Sequence, residues 1–171
     1  VWDLTTGEAI RTLTGHSGGV RSVALCMDGT QVLSGCANDT VKLWDVATGN
    51  VIRTLTGHSN GLWSVVLNTD GTRAFSGSAD KTLKLWDLTT GNVIRTLTGH
   101  NDRVWSVALS ADEMRMLSVA DDNTLKVWDL TTGKCLATFC GDHPFCSCDM
   151  SADGGAIVAG DAAGTVHFFS V

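Results

Sequence analysis

The sequence lacks tyrosine, contains a single proline among 171 residues, and carries charge on only 18% of them. Nineteen glycines stand beside that one proline, a balance that favours short strands joined by tight turns. Twelve Lys and Arg against eighteen Asp and Glu give a net charge of −6, which disfavours nucleic acid and anionic membrane surfaces as partners. No apolar run approaches the ~20 residues that a spanning helix needs. We therefore expect a soluble, globular, all-β domain.

The sequence begins at Val1, with neither a start methionine nor a signal-peptide pattern. This beginning predicts a piece of a longer protein or an engineered chain. The six cysteines mostly occupy positions that hold small residues elsewhere in the sequence, where a thiol serves as a compact apolar group. That usage indicates a reducing compartment, and we expect a cytoplasmic location.

An internal repeat of 42 residues organises the chain. It is marked by Trp2, Trp44, Trp86 and Trp128, with Phe169 in the corresponding place 41 residues after the last of them. The segment 50–58 recurs unchanged at 92–100. The last unit diverges and is one residue shorter, as terminal members of repeat arrays usually are. Four units fill the sequence.

Each unit has the periodicity of strands. In the second unit, four segments of alternating or continuous apolar residues are separated by turn signals such as Asp70-Gly71, Asp80-Lys81 and Thr90-Gly91. Four antiparallel strands in every unit predict a propeller blade, and four units predict four blades.

The sequence of the units resembles that of the WD-repeat β-propeller family. The matching residues are Gly15-His16, Gly57-His58 and Gly99-His100 at the start of a unit, Asp80-Lys81-Thr82 and Asp122-Asn123-Thr124 before the third strand, and Trp44-Asp45, Trp86-Asp87 and Trp128-Asp129 at its end. The resemblance implies blades at 15–56, 57–98, 99–140 and 141–171, preceded by an exchange strand within 1–14. That strand is expected to complete the last blade, which has only three strands of its own.

A closed ring of four such blades would be strained, since the family forms rings of about seven or eight. The complementary ends therefore predict that two chains pair by terminal strand exchange into an eight-bladed ring. A fragment of a longer propeller is the competing interpretation.

The repeated His, Ser and Asp are also the residue types of a hydrolytic triad. They recur in three units, which favours structure over catalysis, because a catalytic device seldom appears three times in stacked repeats. The resemblance implies a buried network in which the imidazole bridges Ser and Asp and the Ser holds the indole N–H. The three sets are His16, Ser34, Asn38 and Trp44; His58, Ser76, Asp80 and Trp86; and His100, Ser118, Asp122 and Trp128. We predict no enzymatic activity and no catalytic residue.

One place in the sequence has the residue types and short spacing of a zinc site, namely Cys140, His143, Cys146 and Cys148. Strand alternation argues against it, because Cys148 aligns with the core residues Val65 and Val107 and should be buried in packing. We predict no metal and no cofactor. The sequence also has no phosphate-binding G-x-x-x-x-G-K-[ST] motif.

Protein binding is the activity that remains. The resemblance implies contact with other proteins or peptides through one face of the propeller, the top face, at Arg21, Trp63, Arg103, Trp105 and Asp121. Trp and Arg are the residue types most enriched at binding hot spots. The alternative is that Trp63 and Trp105 only pack across neighbouring blades.

The segment 157–169 is similar to the last blade of bacterial and cyanobacterial signalling ATPases that end in WD repeats. This similarity implies a sensor or scaffold domain in a signalling protein, without nucleotide chemistry in this chain. The second hypothesis is a self-assembling structural module without a dedicated ligand, and an enzyme is the third.

Overall fold

The computed structural model describes residues 1–170, and the predicted last residue of the fourth blade, Val171, lies outside them. These residues form fifteen β-strands. The strands are β1 Val20–Leu25, β2 Gln31–Cys36, β3 Val41–Asp45, β4 Val51–Leu55, β5 Leu62–Leu67, β6 Arg73–Ser78, β7 Leu83–Asp87, β8 Val93–Leu97, β9 Val104–Leu109, β10 Arg115–Ala120, β11 Thr124–Asp129, β12 Cys135–Cys140, β13 Phe145–Met150, β14 Ala156–Asp161 and β15 Val166–Ser170. The described residues form no helix with the length and apolarity that a membrane span requires.

The strands form four antiparallel meanders, which are the four blades. Blades one to three are the four-stranded sheets β1–β4, β5–β8 and β9–β12, and blade four is the three-stranded sheet β13–β15. The first strand of every blade carries a bulge where it pairs with the second, for example between Leu62 and Ser64. The predicted all-β propeller architecture with four blades is therefore confirmed.

The hydrophobic core lies between successive blades. Leu33 and Leu43 of blade one pack with Leu62 and Val65 of blade two, and two further clusters join blade two to three and blade three to four. A glycine in the second strand permits this close approach, because a Cβ at Gly77 would lie 2.7 Å from Val104 Cγ1. Each blade therefore depends on its neighbour for burial of one apolar face.

The four blades form an open arc. Contacts between first strands join β1 to β5, β5 to β9 and β9 to β13, and no extensive contact joins β13 back to β1 among the described residues. The predicted exchange strand does not pair with β15 within one chain, because β15 and the N-terminal segment lie at opposite ends of this arc. Residues 9–13 instead lie beside blade one, where Arg11 donates a hydrogen bond to the Ala47 carbonyl.

Candidate protein-binding face

The predicted buried networks are built between strands in blades two and three. In blade two, His58 Nδ1 lies 2.7 Å from Asp80 Oδ2, and His58 Nε2 lies 2.8 Å from Ser76 Oγ. Trp86 Nε1 donates to the same Ser76 Oγ at 2.8 Å. Because a carboxylate only accepts, His58 donates from Nδ1 and its Nε2 accepts the Ser76 proton. Blade three repeats this arrangement with His100, Ser118, Asp122 and Trp128.

The electrostatics of these networks keep Asp80 and Asp122 ionised and, in blade three, favour the neutral form of His100. Burial raises the pKa of Asp80, but hydrogen bonds from His58, Thr82 and Ser59 outweigh it and hold the pKa far below its usual range. Burial also lowers the pKa of His100, against the opposing effect of Asp122. The charge on each aspartate is thereby compensated by several donors.

The serine hydroxyls in these networks are enclosed. Ser76 and Ser118 are buried, and each already bonds an imidazole and an indole. A nucleophile must reach a substrate carbonyl beside oxyanion donors. The arrangement therefore serves to satisfy buried polar groups within a blade.

Blade one departs from the pattern. His16 Nε2 lies 2.6 Å from Ser34 Oγ, and Trp44 Nε1 donates to Ser34 at 2.7 Å. Asn38 does not reach the imidazole and donates instead to Ser17, so His16 Nδ1 is buried without a partner. The network expected for all three sets is thus incomplete here, because the amide at position 38 turns away from the ring.

The five predicted binding residues form one continuous row across blades one to three. The Arg21 guanidinium lies over the Trp63 ring, 4.2 Å from its centroid, and the Trp63 and Trp105 rings are 4.1 Å apart between centroids. Arg103 lies 5.6 Å from the Trp105 centroid and forms a 2.8 Å ion pair with Asp121. Asp121 also accepts from Trp105 Nε1 at 2.5 Å. We call this set the top-face row.

Exposure along the top-face row is graded. Arg21 and Arg103 are exposed, whereas Trp63, Trp105 and Asp121 are half-buried. Each tryptophan ring packs on a neighbouring blade and keeps some surface open. Binding through these rings stays a prediction. A cavity of about 310 Å³ opens beside the row, lined by residues that include Arg21, Asn60, Trp63 and Arg103.

A second cavity of about 460 Å³ lies at the opposite face, between the turns of blades one and two. Its carboxylates are engaged within their own turns: Asp28 accepts from Thr30, and Asp70 accepts from Thr72. It has no tryptophan or arginine in its lining. The top face is thus the better supplied with groups suited to partner binding.

The four candidate zinc ligands do not converge. Within residues 1–170, no three His, Cys, Asp or Glu side chains lie together as a metal site. Burial raises the pKa of the Cys148 thiol to about 12, which opposes the thiolate form that zinc binds. Cys146, by contrast, is exposed, because the bulge between Phe145 and Ser147 turns it away from the core side.

Sequence reasoning missed a set of contacts that join the blades. Ser22 Oγ accepts from the Val65 amide at 3.1 Å, and Ser64 Oγ accepts from the Val107 amide at 3.2 Å. The serine that follows the bulge position in each unit was the available signal. Its recurrence alone does not indicate that it bonds the next blade.

Four-stranded antiparallel blades in series, with an imidazole–hydroxyl–indole network in each of the first three, define the class of β-propeller repeats. A family model, WD domain, G-beta repeat, matches residues 7–45, 49–87 and 91–129. The chain belongs to this WD40 family, whose repeats generally mediate protein–protein interaction and whose propellers are typically non-catalytic scaffolds. Comparison with curated proteins gives no match. The resemblance of the last blade to signalling ATPases stays a prediction.

Proposed function

We propose that this chain is a non-catalytic scaffold or sensor domain that binds a protein or peptide through the top-face row. The observation that carries the proposal is the unbroken contact sequence Arg21, Trp63, Trp105, Arg103. Aromatic and guanidinium groups combine large contact area with directed polar contacts, and such groups dominate binding energy at interfaces.

The row also suggests what the partner offers. Arg21 is exposed and stacked on a ring, so its N–H groups remain available to a carboxylate. The adjoining cavity of about 310 Å³ admits a side chain next to Trp63. We infer a peptide segment that places an acidic group on Arg21 and an apolar or polar side chain in the cavity.

Several finer assignments follow the same proposal. A role in a signalling protein rests on the similarity of segment 157–169, and a cytoplasmic location rests on six free thiols, two of them buried as apolar groups. The net charge of −6 supports proteins rather than nucleic acid or membrane as partners. Blade four lacks the His–Ser–Trp set, so it has no counterpart of the networks in blades one to three.

The test is selection of peptides from a displayed random library, followed by titration calorimetry with synthetic copies. Trp63→Ala and Trp105→Ala are each expected to weaken binding by about 30-fold, the effect of losing a hot-spot residue. Trp2→Ala is the matched control, because Trp2 is exposed away from the row. Equal affinity of wild type and both row variants, with circular dichroism unchanged, would refute the assignment.

A further inference from the structure

The arc ends in a blade-one edge that is apolar and exposed. This edge consists of Val20, Val23 and Leu25 on β1, of which Val20 is 50% and Val23 is 66% exposed. In blade two the corresponding residues are Leu62 and Val65, and they are 0% and 3% exposed because blade one covers them. The blade-one edge is therefore the incoming half of a blade–blade interface.

The other end of the arc is the blade-four edge, which consists of Val158, Val166 and Phe168. Val166 is 72% and Phe168 is 74% exposed. Their counterparts in blade one, Val41 and Leu43, are 1% and 3% exposed because blade two packs on them. The blade-four edge is thus the outgoing half of the same kind of interface.

The two edges also match in shape. In blade one, a Cβ placed on Gly35 would lie 2.9 Å from Val65 Cγ1, so the glycine is the socket for that valine. Gly160 holds the same place in blade four, and the nearest atom to its Cβ position is Ser147 Oγ of its own blade. Val23 is the counterpart of Val65. Its side chain has the size and position to fill the space left at Gly160.

Polar groups on the edges match as well. The contacts from the Val65 amide to Ser22 and from the Val107 amide to Ser64 cross the interfaces between blades one and two and between blades two and three. Ser147 is exposed at the position equivalent to Ser22 and Ser64. The amide of Val23 is its complementary donor.

The N-terminal segment lies against blade one in the way that the outer strand of one blade lies against the next blade. Arg53 of β4 reaches the Thr89 and Thr90 carbonyls of the next blade at 2.7 and 3.1 Å. Arg11 reaches the Ala47 carbonyl of blade one in the same manner. Residues 9–13 are thus positioned as the fourth strand of a blade preceding blade one, while β15 has no strand on its outer side among the described residues.

We propose that these edges bind each other between two copies of this chain. The blade-four edge of each copy receives the blade-one edge of the other, and residues 9–13 of one copy pair with β15 of its partner. We call each of the two interfaces between the copies a seam. Each seam then contains the valine, the glycine space, the serine contact and the outer strand that occur at an interface between blades within one chain. Two copies supply eight blades, and closing the ring covers the blade-one edge and the blade-four edge of both copies.

Sedimentation equilibrium of the 171-residue chain tests the proposal, with an expected mass of twice 18.0 kDa. Val23→Asp and Phe168→Asp should each yield monomers, because a carboxylate would be buried in both seams. Ile94→Asp is the control, since Ile94 is exposed on β8 away from both edges. A monomeric wild type, or an open-ended series of larger species, would overturn the two-copy ring.

Mixing the two variants distinguishes the loss of one edge from unfolding of the chain. Val23→Asp chains and Phe168→Asp chains share one intact seam when they pair, so the mixture should regain dimer that neither variant forms alone. Failure to associate on mixing, with each variant folded by circular dichroism, would contradict the edge assignment.

A cross-link tests the register directly. In a chain whose exposed Cys135, Cys140 and Cys146 are replaced by serine, Val23→Cys combined with Gly160→Cys should form a disulfide between copies on oxidation. The product is expected at doubled mass on a denaturing gel, and Ile94→Cys with Gly160→Cys should give none. A cross-link within a monomer would show that the chain closes on itself and would overturn the proposal.

Discussion

At the scale of single residues, the histidine network of blade one differs from those of blades two and three in one hydrogen bond. Asp80 and Asp122 supply a carboxylate to His58 and His100, whereas Asn38 leaves His16 Nδ1 unpartnered. A buried polar atom without a partner lowers stability by its desolvation penalty. Blade one is therefore the blade in which a repeat residue can be restored with a gain.

Asn38→Asp is expected to stabilise the chain by about 1 kcal/mol, because a carboxylate at this position can accept from His16 Nδ1. The reciprocal change Asp122→Asn should destabilise by a similar or larger amount. Urea unfolding followed by circular dichroism measures both. A loss of stability on Asn38→Asp would show that Asn38 contributes more through Ser17 than a carboxylate gains at the ring.

Acid should weaken blade three through Asp122. Hydrogen bonds from Thr124, Asn101 and His100 outweigh burial and hold the pKa of Asp122 below its ordinary value. A carboxyl with a depressed folded pKa stabilises above its unfolded pKa, about 3.9, and that contribution is lost as pH falls through the folded pKa. The slope of unfolding free energy against pH below about 4 should be shallower in Asp122→Asn than in wild type.

Asp142→Asn is the control for this measurement, since Asp142 is an exposed turn residue outside the networks. An equally steep slope in Asp122→Asn would exclude Asp122 as a source of the acid sensitivity.

The recurring residue sets could be read from the sequence, because fixed offsets place the same positions in contact in every blade. The rotation of the Asn38 amide toward Ser17 could not, since asparagine has the acceptor needed for His16 and only the local packing decides its direction. The ring-to-ring contact of Trp63 and Trp105 depends likewise on the spacing between blades, which no single repeat encodes.

At the scale of elements, the outermost strands hold the blades together through arginine. Arg53 on β4 and Arg95 on β8 each donate to two carbonyls in the turn of the following blade. Their alkyl stems lie against Gly91 and Gly133, where a Cβ would approach the arginine Cδ to 2.7 Å. The interface between blades is therefore polar and charged at its rim and apolar inside.

Arg53→Met should destabilise the chain by about 1 to 2 kcal/mol, because methionine keeps part of the stem but leaves two carbonyls without their charged donor. Arg73→Met, an exposed change on β6, is expected to stay within about 0.5 kcal/mol of wild type. Chemical denaturation of both variants decides. Equal effects would place the Arg53 contribution in its stem and not in the hydrogen bonds.

Strand number and order follow from alternating apolar residues and turn signals, which is why all four blades could be predicted. The bulges at the first strands could not be located by periodicity, because one extra residue only shifts the alternation. Those bulges determine the outward direction of Trp63, Trp105 and Cys146, and thus the shape of the top face.

At the scale of the whole molecule, four blades make an arc with two unlike ends. Repeat counting predicts the number of blades, but closure depends on the small rotation between successive blades, which is a property of packing. The last blade shows a limit of sequence comparison. The family model ends at residue 129, yet the three strands β13–β15 pack on blade three through Phe145 and Ile157.

The midpoint of thermal unfolding should rise with protein concentration, because association through the edges stabilises the folded chain by mass action. Val23→Asp should show a lower midpoint that does not depend on concentration. Differential scanning calorimetry over a hundredfold range of concentration measures both. A concentration-independent wild type would indicate that the edges stay open.

Because both edges belong to one rigid arc, the second seam of a pair forms at a high effective concentration as soon as the first has formed. Dimers held by only one seam should then be scarce, and dissociation requires both seams to open at the same time. Avidity of this kind makes assembly steep in protein concentration and slow to reverse. A ligand that covers the same edge on every copy would therefore prevent both contacts at once, and the ring would be lost as a unit rather than gradually.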